Sequence, residues 1–192
     1  MPAPNPAALD LLLTRQSRPA RSLTLPVPSR DQLTTLLTAA ARVPDHGKLV
    51  PWRFIVLERG ALDRLAALVP IRGEALGVDP EKIAKSTAQY RDADLAVVVV
   101  GCPRGTDRIP AIEQTLSAGA VCMTLLAAAT AASWGANWLT GWPVYDAEFT
   151  GKGLGLTGEE WVAGVIHIGT ASADFPDRPR PDIAAITTWA PA

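Results

Sequence analysis

Apolar positions along the 192-residue chain recur in two rhythms, one suited to helices and one to strands. Near the amino end Leu9, Leu11, Leu12 and Leu13 cluster within residues 7–14, which predicts a short helix ending at Arg15-Gln16-Ser17-Arg18-Pro19. Ser29 and Gln32 form a capping box for a second helix. Its Leu33, Leu36, Leu37 and Ala40 keep helical spacing until Pro44 forbids continuation, so Val43-Pro44-Asp45-His46-Gly47-Lys48 is a loop. Residues 52–57 are aromatic and β-branched and predict a strand, whereas 62–69 and 80–90 predict helices. The run 95–101 (LAVVVVG) has no polar interruption and belongs in mid-sheet, buried on both faces. A long apolar helix follows over about 110–132, then short strands at 135–139 and 161–168. From residue 169 the chain turns to Pro, Asp and Arg, which cannot propagate a helix and predict an extended arm. Helices interspersed with few strands indicate an α+β fold, with one domain over 1–170 and the arm 171–192 belonging to it.

The stretch 115–133 carries no charge and is nearly long enough to cross a bilayer, yet it consists mainly of Ala, Ser, Thr and Gly and no second span or basic flank accompanies it. The reading is no membrane span. Ser117, Ala118, Gly119 and Ala120 would let another backbone come close, which places the helix either at the centre of a symmetric dimer interface or in the core of one subunit.

Composition narrows the function. Eighteen Lys and Arg against nineteen Asp and Glu leave a formal charge of -1, so a nucleic-acid partner is not expected. The amino terminus lacks the basic and apolar regions of a secretion signal, and Cys102 and Cys122 lack CxxC spacing, which suggests a cytoplasmic protein with reduced thiols. There is no GxSxG, GxxxxGK[ST] or HExxH, and Gly151-Lys152-Gly153-Leu154-Gly155 has the wrong spacing for a dinucleotide turn and reads as a flexible loop. With two histidines, one inside an apolar strand, no metal centre is expected, and His167 and both cysteines read as packing residues. The remaining candidates are cationic loops. Arg15, Ser17 and Arg18 could converge on a phosphate or form a solvated basic turn, and His46 could face a planar ligand. Trp134, Trp138 and Trp142 read as core or interface.

Arg15-Gln16-Ser17 after the first helix, Ala41-Arg42-Val43-Pro44-Asp45-His46 ahead of Val50-Pro51-Trp52-Arg53-Phe54, the small-residue helix with Ser117-Ala118-Gly119, and Trp134-Gly135-Ala136-Asn137-Trp138-Leu139-Thr140-Gly141 occur in that order. As a set, covering roughly 7–170, they resemble the nitroreductase family, in particular its short YdjA-like branch of NAD(P)H nitroreductases. The resemblance implies an FMN-dependent α+β homodimer with a central, mostly antiparallel sheet flanked by helices and flavin sites at the subunit interface. It assigns Arg15, Gln16 and Ser17 to the FMN phosphate and ribityl end, and Arg42 and His46, with Trp138, Leu139 and Thr140, to flavin contacts. It assigns Ala128, Ala129, Thr130, Ala131, Ala132 and Ser133 to the nicotinamide nucleotide, and offers Arg178 and Arg180 as additional phosphate ligands. Gln16 stands where the family often has Arg or His, so charge neutralisation falls on the neighbouring arginines.

The implied reaction passes hydride from NADH or NADPH through flavin N5 to an electron-poor small molecule, nitroaromatic or quinone-like, by a ping-pong mechanism with no catalytic side chain. The same scaffold supports enone reduction, dehalogenation and flavin fragmentation, and a non-catalytic flavin-binding or sensor role is the alternative outside enzymes.

Overall fold

The computed structural model describes residues 3–105 and 108–191, so residues 1, 2, 106 and 107 of the expected domain and residue 192 of the arm lie outside the described residues. The elements run α1 (Pro6–Thr14), β1 (Leu23–Thr24), α2 (Arg30–Ala40), β2 (Trp52–Glu58), α3 (Arg59–Ala75), α4 (Pro80–Arg91), β3 (Leu95–Gly101), α5 (Ala111–Ala131), β4 (Gly135–Leu139), α6 (Ala147–Phe149) and β5 (Trp161–Ala171). β3 is buried along its whole length, and it lies between β2 and β5. Ile166 of β5 sits opposite both Val97 of β3 and Trp138 of β4, so β4 runs along the other edge of β5; β1 pairs with its last residues. Every pairing is antiparallel. The fold is the α+β arrangement expected, with helices on both faces of the sheet.

Alternation along β3 divides the core. Val97 and Val99 join Leu33 and Leu36 of α2 and Leu125 of α5 on one face. Val98 and Val100 join Leu62, Leu65 and Val69 of α3 and Tyr90 of α4 on the other. All four valines are fully enclosed, which contributes roughly 1.5–3 kcal/mol each by transfer from water. In β5 the register against β3 skips one residue between Val99–Gly164 and Val100–Val162. That bulge lets Val162 and Val165 face α3 while Ala163 and Ile166 face α5.

Local chemistry sets the helix ends. The Ser29 side chain accepts from the Gln32 N–H, and the Gln32 side chain accepts from the Ser29 N–H, completing the box at the start of α2. Asp79 caps α4 through the N–H groups of Glu81 and Lys82. Two readings are corrected. The helix expected at 62–69 runs on through Pro70 to Ala75. Its last turns are held by packing on α4, where Gly73 leaves room for Ile83, and by Arg72, which grips Asp146 at 2.7 Å and Glu148 at 2.6 Å. The glycine run at 151–155 is an ordered π-helical turn over Thr150–Leu154, because Gly153 lies against Leu65 and Leu68 of α3 where a Cβ would collide.

α5 is long and apolar enough to cross a membrane by length and composition, but Val121, Cys122, Leu125 and Ala129 are enclosed against the sheet as in a core helix. Its other side is bare. Ile112, Leu116 and Met123 form an exposed apolar stripe at helical spacing, and a Cβ on Gly119, within that stripe, would meet nothing. Leu9, Leu12 and Leu13 of α1 are exposed as well.

Candidate functional site

The loop between α1 and β1 organises the sites. α1 ends at Arg15, the Arg18 N–H donates to the Ala136 carbonyl at 2.9 Å, and the Asn137 amide donates to the Arg18 carbonyl at 2.6 Å. Residues 15–21 are thereby pinned to β4 and border three neighbouring cavities. The first, of about 180 Å³, is lined by Arg15, Gln16, Ser17, Asp177, Arg178 and Arg180. The second, of about 270 Å³, is lined by Arg15, Gln16, Arg18, Thr130, Ser133 and Trp134. The third is a groove of about 450 Å³ between this loop, α4 and β4, lined by Arg21, Lys85, Gln89, Asn137, Leu139 and Thr140.

The first two cavities suit an anion. The Arg15 guanidinium and the Ser17 hydroxyl have no hydrogen-bond partner among the described residues, and Nη1 of Arg18 is buried with none while its Nη2 reaches Asp174 at 3.4 Å. A buried guanidinium nitrogen without an acceptor is costly, and an anionic oxygen would satisfy it. The arm folds back over the same loop. Arg178 lines the cavity with no side-chain hydrogen bond among the described residues, whereas Arg180 is held by Asp177 at 2.5 Å; that hydrogen bond first, with the nearby Arg178 charge a smaller contribution, keeps the Asp177 carboxyl below its usual range.

The groove suits a flat, polar-edged ring. Alternation along β4 turns Asn137 and Leu139 toward it. Trp138 points the opposite way: its indole covers Gly164 and donates from Nε1 to the Ala163 carbonyl at 3.2 Å. Lys85 and Gln89 were not singled out from the sequence. On the helix bearing Lys85 and Gln89 they look like an ordinary solvated face, and only the loop packed opposite makes them a wall. Beneath the groove His167 is enclosed against α4, with Nε2 3.5 Å from the Gln89 amide nitrogen and Nδ1 unpartnered. Burial lowers its pKa to about 4, so the ring is neutral at physiological pH. Both cysteines are free and buried, and burial pushes the Cys122 thiol up to about 12.

The segment 128–133 contributes unevenly. Ala129 is enclosed in the core and Ala128 packs against it; Ala131 and Ala132 are exposed and line none of the three cavities. Only Thr130 and Ser133 reach the second cavity, Ser133 with a left-handed φ of 63°.

Arg42 and His46 lie elsewhere. Both are exposed at the end of α2 and its loop, and His46 Nδ1 is 2.6 Å from Glu113 in the first turn of α5. Thr130, beside Arg15, is seventeen residues further along the same helix, a separation of about 25 Å at 1.5 Å per residue, longer than a flavin mononucleotide. One chain therefore does not bring the two groups of expected ligands together.

Residues 14–170 match the family model described as the nitroreductase family. The chain belongs to the nitroreductase family. It is 31% identical to YdjA of Escherichia coli K12, provisionally named an NAD(P)H nitroreductase, over 85% of this chain and 87% of that one. Among solved structures it resembles a nitroreductase-like family protein of Bacillus cereus, with a TM-score of 0.77, 21% identity and coverage of 99% and 98% of the two chains. A provisionally named nitroreductase of Desulfovibrio desulfuricans, solved in complex with FMN, gives a TM-score of 0.74 at 22% identity over 98% of this chain and 99% of that one. Within the nitroreductase fold, three cavities lie along residues 15–21.

Proposed function

We propose that this nitroreductase-family chain is an FMN-dependent oxidoreductase that accepts electrons from NADH or NADPH and delivers them to an electron-poor small molecule in a ping-pong cycle. One observation carries the reading: a single pinned loop borders a cation-lined cleft at one end and a groove fit for a ring at the other, as a phosphate joined to a flat heterocycle requires. Support comes from the FMN complex of the Desulfovibrio relative and from the name of the Escherichia coli relative.

Arg15, Ser17 and Arg18, with Arg178 from the arm and Arg180 once released from Asp177, would hold the phosphate, and Gln16 would add a neutral donor. Leu139 and Thr140 would border the ring. Lys85 and Arg21 bring positive charge to the groove, which favours electron gain by a ring placed there. The cofactor supplies the hydride and electron chemistry, and the chain supplies binding and orientation, so no side chain is assigned as a nucleophile. Thr130 and Ser133 are the members of 128–133 placed to meet a nicotinamide nucleotide. The arm 171–192 belongs to the same functional unit as 1–170, because it closes the phosphate cleft.

Arg42 and His46 join the site in a homodimer. A second copy crossing at the bare stripe of α5 would bring one chain's His46 end toward its partner's Arg15 end, and Gly119 leaves space for that approach. The test is direct. Purified protein should be yellow and oxidise NADH or NADPH when a quinone or nitroaromatic is added. A colourless protein that does not take up added FMN would contradict the reading.

A further inference from the structure

We propose that Glu113 is a positioning residue that fixes His46 with its proton on Nδ1 and so presents a bare Nε2 to the ligand; its link to flavin rests on the function proposed above. The pair is close, with Nδ1 and Oε2 2.6 Å apart. A carboxylate oxygen only accepts, so the imidazole nitrogen facing it carries the hydrogen. Neutral imidazole has a single N–H, which leaves Nε2 as an acceptor with no partner among the described residues.

The surroundings are built to hold this arrangement. Ser117, one turn beyond Glu113 on the same face of α5, donates its hydroxyl to the Pro44 carbonyl at 2.6 Å, so one helix face grips both the loop and the ring. The Asp45 carboxylate accepts from the N–H groups of Leu49 and Val50 at 3.1 and 2.9 Å. That brace holds a loop in which Lys48 and Val50 take left-handed φ values of 55° and 48°. For a β-branched residue such a conformation is strained, and it persists where the surroundings enforce it. Gly47 takes a left-handed φ of 75°, and a Cβ there would press on the Cδ1 methyl of Ile109. Next to Glu113, Gln114 clamps the backbone of Arg104 through both its N–H and its carbonyl. Glu113 itself stands in the first turn of α5, where the helix dipole favours its charge.

The consequence is a division of labour within four residues. Arg42 can only donate, to a phosphate or carbonyl, whereas His46 Nε2 accepts from a hydroxyl or N–H of the ligand. Without Glu113 the proton would be free to occupy Nε2 and reverse that polarity.

The experiment uses the full-length protein, wild type, Glu113→Gln and Glu113→Ala. Long-range ¹⁵N–¹H correlation at pH 8 without added flavin reads the ring tautomer, and titration of FMN fluorescence reads affinity. Wild type should show Nδ1–H. Glu113→Gln, whose amide oxygen still accepts, should keep that tautomer and bind FMN within about threefold of wild type. Glu113→Ala should shift the proton toward Nε2 and weaken FMN binding about tenfold, the effect of one lost ligand hydrogen bond, with Tm nearly unchanged. Nε2–H in wild type would overturn the proposal, as would wild-type FMN affinity in a Glu113→Ala protein whose tautomer has changed. A wild-type protein showing Nδ1–H that binds no FMN would overturn the flavin reading while supporting the pair.

Discussion

The two helical layers are finished to different degrees. On the α3 and α4 side the chain pairs its own arginines: Arg72 bridges Asp146 and Glu148, Asp146 caps α6, and Arg59 donates to the carbonyls of Tyr90, Arg91 and Ala93 at the end of α4. On the α1, α2 and α5 side the sheet is equally well covered, yet Leu9, Leu12, Leu116 and Met123 face outward, Arg15 and Arg42 lack partners among the described residues, and Arg18 Nη1 is buried without an acceptor. The first layer also leaves His167 Nδ1 and Trp142 Nε1 buried without partners and lends Lys85 and Gln89 to the groove, but its arginines are paired within the chain, whereas the second presents unpaired cations and the apolar stripe of α5, suited to an anionic ligand and a second subunit.

Substitutions can break this contrast. The largest expected effect is from Gly119→Phe. The position is open within one chain and the change removes a helical glycine, so the monomer should fold at least as well as wild type. Sedimentation should show the dimer lost, and flavin content should fall to background; a dimer that persists would remove α5 from the interface. Next comes Arg15→Ala. Losing a charge-assisted contact to phosphate should weaken FMN binding about a hundredfold, while Tm moves by less than about 2 °C, because no protein group pairs with that side chain.

The core on the α3 and α4 side should answer through stability instead. His167 has a folded pKa of about 4 against an ordinary 6.5. Between those values the unfolded chain binds the extra proton, so stability is full above pH 6.5 and falls as pH drops toward 4, at about 1.4 kcal/mol per pH unit. Glu160, held down to about 2 mainly by its hydrogen bonds from Arg53, acts at lower pH, between 4.5 and 2. Chemical denaturation from pH 7 to 4.5 should therefore show wild type losing about 2 kcal/mol and His167→Leu losing little of it. Equal losses would mean that His167 is not buried neutral.

Much of this was legible in the sequence wherever one segment's chemistry settled its own position. Four consecutive valines require the middle of a sheet, and Ser29 with Gln32 marks where a helix begins. A proline followed by Asp-His-Gly ends one. Long-range juxtaposition was not legible. Nothing in Glu113 announces that it meets a histidine sixty-seven positions earlier, and Lys85 and Gln89 acquire a role only when the loop 19–21 packs opposite them. The helix expected over 62–69 runs through Pro70 to Ala75, because packing of α3 on α4 outweighs the local cost of the proline. The ligand set was expected at a subunit interface, but only the folded chain reveals which members sit together, Arg15 beside Thr130 at one end of α5 and His46 beside Glu113 at the other.

That division can be measured by complementation. Arg15→Ala chains and Arg42→Ala/His46→Ala chains carrying different tags are co-expressed, the mixed dimer is isolated, and its FMN content and affinity are determined. Each parent alone should bind weakly at both sites, whereas the mixed dimer should bind one FMN per two chains with wild-type affinity, because one of its two sites draws only intact residues from both subunits. If the mixed dimer binds no better than its parents, or a monomeric chain binds FMN tightly by itself, the composite site does not exist.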